Sequence, residues 1–168
     1  MPAGGPRRPA SAPGCATIGA VSACRRQGLI DAPLEAVWNL VGDPERFPEW
    51  AGDVIKVTGV ATLEEGSTFD QETRTPLGTS TTQFVVEDLD DMHEIRLRCT
   101  RSGYYSHWLL TEAMGSTFAE VEIGMDPTHV GYRAFDATFG RRWHRRVAED
   151  SLAQVRELAT RETGLTHP

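Results

Sequence analysis

The 168-residue chain is predicted to fold as an α+β domain, an antiparallel β-meander closed by one long helix. Three observations predict it. Between Asp53 and Asp126, strand-length segments recur every ~10 residues with turn-rich breaks between them. Those breaks have hairpin length, which suits antiparallel neighbours and leaves no room for the crossover helix a parallel pair needs. From about His129 to Arg161, apolar residues return at helical spacing: Phe135, Phe139, Trp143 and Val147, then Leu152, Val155 and Leu158.

Ahead of the meander, Ala20–Ile30 reads as a first strand, with Gly28 suggesting a bulge. Asp31-Ala32-Pro33 opens a short helix: Asp31 can cap, and Pro33 tolerates an early position where its missing N–H would be unused. Asp43-Pro44 repeats the signal for a second short helix that ends near Trp50. Six strands are expected near 54–61, 67–75, 79–88, 94–101, 104–112 and 117–125. Alternation of Ile95, Leu97 and Cys99 with Glu94, Arg96 and Arg98 gives such strands one wet and one covered face. In the last helix Gly140 interrupts the pattern, so a bend or late start is expected there, and Gly164 is a plausible C-cap.

Composition removes several function classes. The formal charge of −7 disfavours non-specific nucleic-acid binding, which relies on positive charge. No apolar run approaches the ~20 residues of a membrane span. Cys15, Cys24 and Cys99 are too few and too scattered for a disulfide scaffold and form no C-x-x-C pair. No phosphate loop, H-E-x-x-H, EF-hand or G-x-S-x-G pattern occurs, so phosphoryl transfer, zinc hydrolysis and serine-triad chemistry lack sequence support. Residues 1–17 are rich in Pro, Ala and Gly and read as a disordered tail, with the domain at 18–163 and a short tail at 164–168. Arg7-Arg8 hints at a twin-arginine signal, and Val21-Ser22-Ala23-Cys24 has the shape of a lipoprotein cleavage box. The stretch between them is Pro-broken and weakly apolar, so a cytoplasmic protein is expected.

The run Ile30-Asp31-Ala32-Pro33-Leu34-Glu35-Ala36-Val37-Trp38, the run Asp43-Pro44-Glu45-Arg46-Phe47-Pro48-Glu49-Trp50, the late Gly115-Ser116-Thr117 and the element order together resemble the START-like SRPBCC superfamily. Within it, the polyketide cyclase/dehydrase group is the most similar. The resemblance covers roughly residues 18 to 162. It implies a helix-grip fold, a curved seven-stranded sheet around the C-terminal helix with two short helices after the first strand. It also implies a cavity between sheet and helix that suits a hydrophobic small molecule. The implied reaction is intramolecular cyclisation of a polyketone or similar metabolite, with or without dehydration. Holding the reacting carbons ~3–3.5 Å apart removes ~7–11 kcal/mol of barrier, so one acid/base group and one donor suffice, with no metal or organic cofactor. The alternative is a non-catalytic binding or transfer protein for a hydrophobic molecule or lipid.

The candidate catalytic residues are His107, Tyr105 and Tyr104. An inward histidine could take a proton next to a ketone, and a tyrosine could donate to the developing enolate. If Trp108 and Leu110 face one way, Tyr105 and His107 face the other, and alternation alone leaves open which pair sees the cavity. The expected ligand lining is Phe69, Gln71, Thr73, Phe84, Leu97, Cys99 and Trp108 from the sheet, with Phe135, Phe139 and Trp143 from the helix. Arg141, Arg142, Arg145 and Arg146, with His144, form a basic face. Such a face is either a solvated surface or a docking site for an acyl carrier protein bearing a tethered substrate.

Overall fold

The computed structural model describes residues 13–18, 21–75, 78–127 and 129–164. Eight strands form one antiparallel sheet: β1 (Gly14–Ile18), β2 (Val21–Ile30), β3 (Val54–Thr58), β4 (Thr68–Thr75), β5 (Gly78–Asp90), β6 (Glu94–Cys99), β7 (Tyr104–Ala113) and β8 (Ser116–Met125). Their spatial order is β1-β2-β8-β7-β6-β5-β4-β3. The expected meander is therefore present. The sheet has eight strands rather than seven, because β1 begins at Gly14, inside the stretch read as a tail, and pairs along β2. Residues 1–12 lie outside the described residues.

That extra strand carries a second departure from expectation. Cys15 and Cys24 face each other across β1 and β2 and form a disulfide. Two cysteines nine apart look unrelated when no strand is assigned to the first of them.

Two short helices follow β2. Helix α1 (Leu34–Val41) buries Val37, Leu40 and Val41. Pro33 takes its N-cap place, and the Asp31 carboxyl accepts from Ser116 Oγ at 3.2 Å. Asp43 does cap, its carboxyl accepting from Glu45 N at 3.0 Å to start a 3-10 turn (Pro44–Arg46) that leads into α2 (Phe47–Trp50). Trp50 Nε1 donates to Leu40 O at 2.8 Å and fastens α2 to α1. Register shifts in β3 and in β5, between Val86 and Asp88, are irregularities of the kind that bend a sheet, and the sheet curves around its covered face.

The C-terminal helical run has three parts: α3 (Val130–Phe135), a π-helical turn (Asp136–Gly140) and α4 (Arg141–Glu162). Helix α4 packs on β2 and β8 and against α1 and α2. Gly28 on β2 admits it, since a Cβ there would lie 2.5 Å from Arg156 Nη2 and 3.8 Å from Leu152. The core joins Leu152, Val155, Leu158 and Ala159 of α4 to Val37 and Leu40 of α1 and to the inner face of the sheet.

The π turn changes which residues face inward. A wider turn inserts one residue into the helical spacing, so Asp136, Gly140, His144 and Ala148 are buried while Phe139 is 61% exposed. The expected four-residue aromatic stripe thus turns aside at its start: Phe135 and Trp143 are half-buried. The later part of the stripe, Leu152, Val155 and Leu158, is buried as expected.

Candidate functional site

The register settles which β7 residues face the core. Trp108 and Leu110 are buried in the core with Tyr104 packed beside them, so Tyr105 and His107 point to the opposite, outer face.

On that outer face Tyr105, His107 and the charged residues around them are paired with one another. His107 Nε2 lies 2.6 Å from Glu94 Oε1. Tyr105 lies across Gly124, where a Cβ would come within 2.6 Å of its ring, and its hydroxyl donates to Glu122 at 2.9 Å. The guanidinium groups of Arg96 and Arg98 sit 4.6 and 5.5 Å from the Tyr105 ring centre. Arg25 bonds Glu122 and also meets Glu120 at 3.2 Å. Burial, then Glu122, push the Tyr105 phenol up. Burial alone would raise Glu122, yet hydrogen bonds from Arg25 and Tyr105 hold it below the usual carboxylate range. The arrangement is an ion-pair network, and nothing on it turns toward the space between sheet and helix.

The inner face is different. A file of aromatic rings crosses it: Phe47 to Phe69 at 6.2 Å, Phe69 stacked on Phe84 at 5.7 Å, Phe84 to Tyr104 at 6.3 Å, and Tyr104 to Trp143 of α4 at 5.4 Å. Phe135 continues it, 6.2 Å from Trp143, and Phe139 stands at its solvent end, 6.0 Å from Phe135. All seven expected strand residues lie on this face: Phe69, Gln71, Phe84, Leu97, Cys99 and Trp108 are buried, and Gln71 Nε2 donates to Thr73 Oγ1 at 3.2 Å. Trp108 Nε1 is buried with no hydrogen-bond partner among the described residues.

Where the file meets the helix, polar groups gather around His144. This histidine is fully buried, not part of the basic face on which its neighbours stand. Ser22 Oγ donates to Asp136 Oδ1 and lies 3.0 Å from His144 Nδ1. Because the serine proton is spent on Asp136, the serine oxygen accepts, and this bonding pattern assigns the imidazole proton to Nδ1. The other nitrogen, Nε2, is left as an acceptor, buried and without a partner among the described residues. Burial pushes the His144 pKa down to about 4, against the weaker pull of Asp136, so the ring is neutral near pH 7. Gly140 makes the cluster possible, since a Cβ there would fall 2.0 Å from Asp136 Oδ1 and 3.0 Å from Ser22 Oγ.

Tyr104 faces His144, ring centres 6.3 Å apart. Burial pushes its phenol well above the ordinary value, with Asp53 and Cys99 adding to the shift, so it remains a donor. Asp53, at the turn into β3, is itself raised by burial. A protonated phenol and a neutral imidazole thus lie on neighbouring rings at the end of the aromatic file, one able to donate to an oxygen and the other to accept from one.

Tyr104 was legible in the sequence. Ser22, Asp53, Asp136 and the burial of His144 were not. The four-residue spacing of Asp136, Gly140 and His144 is the signal that marks one helix face, but Ser22 lies 114 residues from Asp136 and no local pattern links them. The four arginines are exposed but divided: Arg146 Nε meets Asp150 at 3.5 Å, while Arg141, Arg142 and Arg145 border a cleft with Arg26, Gly14 and Cys15.

A long helix on a curved antiparallel sheet, with an aromatic inner face ending at a few polar groups, defines a helix-grip protein. Residues 25–160 match the family model described as "Polyketide cyclase / dehydrase and lipid transport", and the chain belongs to that family. No curated protein is significantly similar. Among solved structures, a protein from Thermus thermophilus shares 16% identity over 84% of this chain and 99% of its own, with a TM-score of 0.67. The di-domain aromatase/cyclase StfQ of the steffimycin biosynthetic pathway shares 18% identity over 86% of this chain and 52% of its own, with a TM-score of 0.64. A polyketide cyclase-like protein from Corynebacterium glutamicum shares 19% over 87% and 96%, with a TM-score of 0.58. At these identities the likeness is one of fold. Among the described residues no helix is long and apolar enough to cross a membrane.

Proposed function

We propose that the protein binds a hydrophobic, enolisable polyketone or similar metabolite on the inner face of the sheet and promotes its intramolecular cyclisation. The observation that carries this reading is that Tyr104 and His144 face each other at the end of the aromatic file, ring centres 6.3 Å apart, with His144 Nε2 buried and unpartnered among the described residues. A 1,3-dicarbonyl compound in its enol form offers a carbonyl oxygen to accept from Tyr104 and a hydroxyl to donate to Nε2. The same pair then serves the reaction. Tyr104 stabilises negative charge on the electrophilic carbonyl oxygen, and Nε2 takes the proton released as the carbon nucleophile forms. The imidazolium so formed is steadied through Ser22 by Asp136. The aromatic file folds the rest of the chain and excludes water.

The catalytic role considered for Tyr105 and His107 draws no support from their geometry, because both are bonded to glutamates on the outer face. A second reading, carriage of an oily molecule without chemistry, draws on the apolar character of the lining from Phe69 to Trp143.

The test is titration with benzoylacetone, an enolisable β-diketone, followed through its enol absorbance. Saturable binding is expected, weakened about tenfold or more in Tyr104→Phe and in His144→Gln, since each leaves a buried polar group unpaired. Tyr105→Phe and His107→Gln should bind as the unaltered protein does. Equal losses in all four variants would contradict the assignment. Cyclisation of a linear polyketone, followed chromatographically, separates the readings: binding without acceleration favours carriage.

A further inference from the structure

A cleft of about 520 Å³ lies where the β1–β2 end of the sheet meets the first turns of α4, lined by Gly14, Cys15, Arg26, Arg141, Arg142 and Arg145. We propose that it is a binding site for a small ligand bearing a phosphate group of two or more negative charges. Arg141 and Arg145 are one helical turn apart and Arg142 is within three residues of Arg145, so three guanidinium groups crowd one helix surface, a destabilising arrangement unless an anion sits among them. Among the described residues none of the three meets a carboxylate, whereas Arg25, Arg96, Arg98 and Arg146 each do. The chain as a whole is acidic at −7, so the cluster does not follow from composition. The fourth arginine, Arg26, is held in place by Glu149, with Nη2 at 2.8 Å from Oε1.

The charge and shape select the ligand. A carboxylate offers two oxygens and one charge, too few for three guanidinium forks. A phosphate offers three or more oxygens and twice the charge, and matches the planar fork bidentately. The opposite wall is fixed, because Cys15 is tied to Cys24 of β2 by the disulfide. A concave site of this volume holds a small molecule. This inference stands apart from the inner-face reading, with which it shares no residue.

Isothermal titration of the full chain with inorganic pyrophosphate tests it. One ion per chain is expected, with affinity reduced about tenfold in Arg142→Gln and in Arg145→Gln, both exposed positions where folding is not at stake. Arg146→Gln removes the same charge from the same helix but lies outside the cleft, and should change affinity less than twofold. Three results would overturn the proposal: no saturable binding, an Arg146→Gln loss equal to the others, or binding of a polyglutamate peptide that pyrophosphate does not displace. The last would make the arginines a docking face for an acidic protein.

Discussion

His107 and His144 sit on opposite faces of the same domain, and the contrast between them separates structural polar groups from available ones. His107 spends its Nε2 on Glu94, within a surface of paired charges. His144 spends only Nδ1, on Ser22, and keeps Nε2 buried and unmatched. An unmatched buried polar atom costs about 1–3 kcal/mol, so a water or a ligand group that reaches Nε2 gains a hydrogen bond there. Composition cannot tell these two histidines apart; the side of the sheet or helix on which each falls does.

The largest expected effect comes from breaking the scaffold of the inner cluster. Gly140→Ala drives a methyl group into Asp136 and Ser22, whose atoms stand 2.0 and 3.0 Å from the new Cβ. Overpacking together with a disrupted buried hydrogen bond should cost about 3 kcal/mol in denaturant unfolding. Gly131→Ala in α3 is the control, because its Cβ would meet nothing within 4 Å. Helix propensity favours alanine at both positions, so Gly131→Ala should hold or gain stability, and a similar loss in both variants would show that contact with the cluster does not set the value.

Acid sharpens the comparison next. The folded pKa of His144 is about 4, below its ordinary 6.5. Between those values the unfolded chain binds a proton that the folded chain does not. The contribution is therefore fully present above pH 6.5 and is lost as pH falls toward 4, by about 3 kcal/mol. Unfolding free energies measured across that window should show a slope that His144→Gln flattens relative to the unaltered chain. An unchanged slope in the variant would mean that His144 is not held neutral by burial.

The outer face supplies the smallest effect. Replacing Glu94 by Gln leaves a part-exposed hydrogen bond to His107, and the pair is worth under about 1 kcal/mol. A loss of several kcal/mol would place His107 among the buried groups and erase the contrast.

Much of this architecture was legible in the chain itself, for reasons that differ by element. The strands from β4 to β8 were readable because hairpin turns and period-two alternation are local signals. β1 was not, since Gly14–Ile18 has little side-chain area and gains its order from β2 and from the Cys15–Cys24 bond. The inward placement of Phe69, Gln71, Phe84 and Trp108 followed from alternation once one residue was oriented. Phe139 went astray because regular helical spacing carries it inward, and the π turn at 136–140 carries it out. Asp31 looked like a cap, but the chain placed Pro33 at that position and sent Asp31 to Ser116. The cluster of Ser22, Asp136 and His144 joins a strand to a helix across most of the chain, and only the folded topology brings its members together.

His144 is a neutral imidazole protonated on Nδ1, and in the proposed function its Nε2 accepts from a guest on the inner face. Side-chain nitrogen NMR of histidine-labelled protein at about pH 6, between the folded pKa and neutrality, reads this directly. An unprotonated Nε2 resonance is expected for His144, one that moves on addition of benzoylacetone while His107 stays in place. An imidazolium signal, or a neutral ring with the proton on Nε2, would contradict it.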